Sequence, residues 1–104
     1  MTFKPDIISK IQTDFDDKSS EVFQTLRNAI EGTEYLKTDR IIRCIIFLSR
    51  GNINDLSKFI TVAINDPRDV MLWAEYENLN SNSNYKRVRD FNKTFEESTN
   101  DVKE

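Results

Sequence analysis

The stretch Asp39-Arg40-Ile41-Ile42-Arg43-Cys44-Ile45-Ile46-Phe47-Leu48-Ser49-Arg50 decides the fold. At about 100° per residue its seven apolar side chains sweep roughly three quarters of a helix circumference. A helix apolar on so many sides cannot lie on a surface, so other elements must pack around it. Thr38 stands where an N-cap belongs and Gly51 where a left-handed C′ residue belongs.

The flanking sequence supplies the packing partners. Before the central helix, Pro5 suits the first turn of a helix carrying Ile7, Ile8, Ile11 and Phe15. After Asp16 and Asp17, a second helix capped by Ser19 or Ser20 carries Val22, Phe23, Leu26 and Ile30 at spacings of three and four, with Gly32 as its stop. After the central helix, Asn52 or Asn54 caps a strongly amphipathic fourth helix, with Ile53, Leu56, Phe59, Ile60, Ala63 and Ile64 on one face. Asp66-Pro67 opens a fifth, as N-cap and N1 residue, running to about Glu77. Its main apolar face is Val70, Trp73 and Ala74, which makes Trp73 an expected core anchor.

This reading predicts an all-α fold, an irregular bundle of four to five helices around residues 39–50, with no sheet. Residues 1–97 form one domain. The run Asn78-Leu79-Asn80-Ser81-Asn82-Ser83-Asn84 reads as a loop, because its side chains compete for backbone hydrogen bonds. The segment from Tyr85 to Phe95 either continues as a helix or lies extended across the body, and 98–104 reads as a disordered tail.

Composition narrows the function classes. The chain has 104 residues, 38% hydrophobic and 32% charged, with two glycines and two prolines. So few breakers disfavour an all-β fold. A net charge of −3 does not suit non-specific nucleic-acid binding. The single cysteine, Cys44, excludes an intrachain disulfide, and its place among isoleucines makes it a buried, inert thiol. The longest apolar run is too short for a membrane span, and the first residues do not read as a secretory signal, so a cytoplasmic location is expected.

The stretch from Arg40 to Gly51, together with Arg68-Asp69-Val70-Met71-Leu72-Trp73-Ala74-Glu75-Tyr76, resembles small bacterial proteins of unknown function. The resemblance spans the middle of the chain and implies no activity.

Catalytic patterns are scarce. With no histidine, the usual general base near neutral pH is missing. No phosphate-binding loop, nucleophile elbow or metal-ligand spacing occurs, so no cofactor is expected. The carboxylates near the fifth helix, Asp66, Asp69, Glu75 and Glu77, are read as capping and ion-pairing groups. An enzyme built on carboxylates and arginines is the third choice.

The first choice is a non-catalytic interaction or regulatory protein that binds a protein partner or itself as a homodimer. Its expected contact residues are Arg68, Leu72, Glu75 and Tyr76. Leu72 and Tyr76, four apart, would stack on one side of a helix, with Arg68 and Glu75 as polar rim. The alternative is a nucleic-acid-binding accessory protein using Arg40, Arg43, Arg87 and Arg89. For the first two arginines the simpler role is to cover apolar surface and pair with carboxylates on neighbouring helices. For the last two it is to belong to a closing segment whose aromatics fill the core.

Overall fold

Six consecutive residues, Ile41 to Ile46, are buried, which requires neighbours on every side of the helix that carries them. The structure is a computed structural model that describes residues 3–77 and 86–99. Among these, the chain runs through α1 Pro5–Phe15, α2 Ser19–Gly32, α3 Asp39–Ser49, α4 Ile53–Asn65 and α5 Pro67–Glu75. Tight 3₁₀ turns at Asp16–Lys18 and Glu34–Leu36 stand before α2 and α3. The fold is all-helical, with α3 at its centre, and α4 and α5 pack on it as a pair. None of these helices is long and apolar enough to cross a membrane.

The core follows the apolar spacings. Ile7, Ile11 and Phe15 of α1 and Val22, Leu26 and Ile30 of α2 point inward. Leu56, Ile60 and Ala63 of α4 and Val70 and Ala74 of α5 meet the isoleucines of α3. Cys44 is fully buried among them. Burial, and then the nearby negative charge of Glu75, push its thiol well above the ordinary range.

The helix ends show which capping expectations the backbone uses. Asn52 Oδ1 accepts the Asp55 N–H at 3.0 Å, and Asp66 Oδ1 accepts the Arg68 N–H at 3.0 Å. Thr38 occupies the N-cap position of α3, but its hydroxyl donates back to the Tyr35 carbonyl. Ser19 likewise donates to the Asp16 carbonyl at 2.6 Å and forms the first residue of α2 rather than its cap.

Two expectations about the end of the chain need correction. A small sheet exists: β1, Tyr76–Glu77, pairs antiparallel with β2, Lys86–Arg87, with Tyr76 opposite Arg87 and Glu77 opposite Lys86. It forms because α5 stops at Glu75, two residues short of the expected end, and Tyr76 turns extended. The segment that follows β2 lies across the body in turns and extended chain, not as a helix. Ser98, assigned by sequence to a disordered tail, is buried. Its hydroxyl donates to the Phe95 carbonyl and its carbonyl accepts the Asp90 N–H at 2.7 Å. The expected loop at 78–84 and the tail from 100 lie outside the described residues.

The turn from α3 to α4 depends on Gly51. Arg50 ends α3 in the left-handed region at φ 50°, and Gly51 follows at φ 76°. A β-carbon on Gly51 would lie 2.5 Å from the Asp14 carbonyl oxygen, so the glycine lets the turn rest directly on the end of α1. Gly51→Ala combines that overlap with left-handed strain, itself about 1–2 kcal/mol. Chemical denaturation should therefore show a loss of about 2 kcal/mol or more.

Candidate functional site

Arg40 and Arg43, three residues apart, leave α3 on one side. Each grips a carboxylate from a different helix. Arg43 Nε and Nη2 donate to the two oxygens of Asp6 in α1, both at 2.9 Å. Arg40 Nε and Nη2 donate to Glu75 of α5 at 2.9 and 2.5 Å. Both are two-pronged pairs, the geometry in which a guanidinium best matches a carboxylate.

Each carboxylate also holds the C-terminal segment. Glu75 Oε2 accepts the Phe91 N–H at 3.0 Å, and Asp6 Oδ2 accepts the Phe95 N–H at 3.1 Å. Arg43 Nη1 donates to the Phe91 carbonyl at 3.1 Å. The Glu75 main-chain carbonyl accepts the Val88 and Arg89 N–H groups at 2.7 and 3.1 Å. Arg87 Nη2 donates to Glu75 at 3.2 Å and to Asp90 at 2.9 Å. Residues 86–99 are thus a strap tied across α1, α3 and α5.

The strap also carries an apolar plug. Phe91 is buried, with its ring 5.3 Å from Phe47 and 5.5 Å from Phe95. The Arg89 guanidinium lies 4.4 Å over the Phe47 ring and donates to the Ala74 carbonyl and to Glu77. Phe91 fills the core and Phe95 packs against it, as the simpler reading of the segment expects for these two rings.

The electrostatics follow from this geometry. Burial alone would raise the Asp6 carboxyl, but the Arg43 hydrogen bonds and the Phe95 N–H outweigh it and hold Asp6 below its ordinary value. Asp90 is likewise lowered: burial opposes ionisation, but the Asn92 N–H and Arg87 favour it more. Glu75 raises the Arg40 guanidinium. Glu75 itself has no exposed surface, yet among the described residues no buried side-chain nitrogen or oxygen lacks a hydrogen-bond partner.

The expected contact residues separate on this framework. Arg68 is exposed and folds back on Asp66, whose carboxyl it lowers through hydrogen bonding. Leu72 is 39% exposed. Glu75 lies inside the network and forms no rim. Tyr76 is half-buried in β1, where its N–H still donates to the Leu72 carbonyl while its backbone turns extended.

Trp73 is the other correction. It is 42% exposed, with its ring edge-on to Phe59 at 6.3 Å, and is not a core anchor. The reason is angular. Glu75 stands about 160° around the helix from Trp73. The Arg40 pair draws the Glu75 side inward, so the tryptophan turns toward solvent.

The four arginines of the nucleic-acid alternative are all engaged within the chain. Arg43 is buried on Asp6, Arg40 and Arg87 share Glu75, and Arg89 is stacked on Phe47. Of the four carboxylates weighed for catalysis, Asp66 caps α5, Asp69 lies in its first turn, Glu75 is internal and Glu77 meets Arg89, and among the described residues they form no cluster that could hold a metal ion. Sequence reasoning missed Asp6 and Phe95 as partners. The available signal was Arg43 itself, a charge within a run of isoleucines that demands a buried counter-ion.

Compared with protein-family models, with curated proteins and with solved structures, the chain has no match.

Glu75→Gln leaves Arg40 without its counter-charge and leaves Arg87 with Asp90 alone. The two guanidiniums keep 30% and 33% of their surface in water, so the loss stays below that of a fully buried pair, at about 1.5–3 kcal/mol, which a denaturant titration will show. Acid acts on Asp6 in a defined direction. Its folded value lies below the ordinary 3.8, so its contribution is fully present above that pH and disappears as pH falls through the lower folded value. Asp6→Asn removes that dependence, so the variant's stability should fall less steeply below pH 3.8 than the parent's.

Proposed function

We propose that this chain is a non-catalytic interaction protein that docks a second copy of itself through the outward side of α4 and α5. The observation that carries the reading is the exposure of Trp73 beside Phe59. Tryptophan is the side chain most enriched at the energetic centre of interfaces, because its large ring removes much apolar area from water. Leu72 adds a second exposed apolar side chain on the same short helix.

The surroundings of the pair suit a two-fold contact. Lys58 places its ammonium 5.2 Å over the Phe59 ring, and Asp69 stands one turn before Trp73 on α5. A two-fold axis through the aromatic pair sets each patch against its own copy, so the opposite charges of Lys58 and Asp69 can meet across it. Of the residues expected from sequence, Arg68 and Leu72 remain available to this contact. The nucleic-acid alternative has less support, because its arginines are matched by internal partners.

Trp73→Glu and Leu72→Glu test the reading directly. Both positions are about two-fifths exposed, so each variant should fold and melt cooperatively. Light scattering should then show a dimer for the parent and a monomer for Trp73→Glu, with Leu72→Glu weakened at least tenfold. A parent protein that stays monomeric at high concentration would overturn the proposal.

A further inference from the structure

The strap is bound as a separate peptide would be. The body presents a groove between α1, α3 and α5 whose recognition groups are the Asp6 and Glu75 carboxylates, the Arg43 guanidinium and the main-chain carbonyls of Ala74 and Glu75. The strap answers with main-chain groups at Val88, Arg89, Phe91 and Phe95, with the Arg87 and Arg89 guanidiniums, with the Phe91 ring as a plug and with two residues of β2 added to β1. Strand addition plus pockets for alternate side chains is a recurring mode of peptide recognition.

We propose that this groove is a docking site for the 86–99 segment of a second copy, and that two chains exchange straps reciprocally. The occupant follows from the chemistry on hand: every copy carries a segment already matched to the groove in register, charge and plug. The register fits a two-fold axis. Tyr76 pairs with Arg87 and Glu77 with Lys86, so two exchanged chains form the same antiparallel ladder between copies, and each body makes the contacts it already makes. Exchange therefore keeps every contact described for the strap, and it competes with tethering. The tether is the eight residues 78–85. A short tether gives a chain's own strap an effective concentration on the order of millimolar, which sets the protein concentration at which exchange becomes populated. This proposal uses a different surface from the aromatic pair on α4 and α5 and stands independently of it.

Deleting residues 78–85 tests it. Glu77 and Lys86 are partners across an antiparallel ladder, and two such residues joined directly leave no turn residue for the chain to reverse. The strap then cannot reach its own groove but continues straight into that of a partner. The deleted chain should double in mass by native mass spectrometry, with circular dichroism matching the parent. Adding Phe91→Ala should abolish this dimer, and adding Trp73→Glu should leave it intact, which separates strap exchange from docking through α5. A folded monomer would overturn the proposal. If the deletion prevents folding, the parent decides: annealed at about millimolar concentration, it should yield a dimer that persists on dilution in the Trp73→Glu background. Its absence there would also overturn the proposal.

Discussion

Two arginines three residues apart on one helix hold the molecule together. Arg40 and Arg43 reach from α3 to Glu75 on α5 and Asp6 on α1, and the same two carboxylates receive the N–H groups of Phe91 and Phe95. One side of α3 thereby fixes two helices and the strap in a common register. Apolar packing could not do this alone. Hydrophobic contact is non-directional, and a surface of isoleucines accepts a partner helix in several rotations. A two-pronged pair accepts one.

That division of labour explains how α5 sits. Its nine residues include Val70, Ala74 and Glu75 on the buried side, a mixed face for a short helix. An isolated buried carboxylate would be very costly, but Glu75 meets Arg40, Arg87 and a main-chain N–H, so its desolvation is offset. With Glu75 inward, Trp73 faces outward and meets Phe59 at the edge. The same network that makes the interior specific places the largest apolar side chain at the surface, where the proposed contact uses it.

The strap shows the same logic on a smaller scale. Phe91 contributes its burial, about 1.5–3 kcal/mol for such a side chain, and the charged groups decide where along the groove it lands. The ladder of β1 and β2 is too short to be stable by itself and depends on these neighbours. A segment held through its main chain as well as its arginines suits the strap exchange proposed above.

The sequence by itself determined the helical class, the central position of α3 and most of the core, because periodic apolar spacing and capping residues act locally. Pro5, Gly51, Asn52 and Asp66-Pro67 mark their turns through backbone preferences that need no distant partner. It also implied that Arg40 and Arg43 would find carboxylates on neighbouring helices. Which carboxylates they find is a matter of tertiary structure. Asp6 and Arg43 are 37 positions apart and Arg40 and Glu75 are 35, and no local pattern links them. The outward turn of Trp73, the end of α5 at Glu75 and the path of the strap all follow from those pairings. Helical spacing assigned Trp73 to the core because it weighs apolar side chains alone. The folded chain put Glu75 there instead, because a buried charge with three partners fixes a helix rotation more tightly than one ring can.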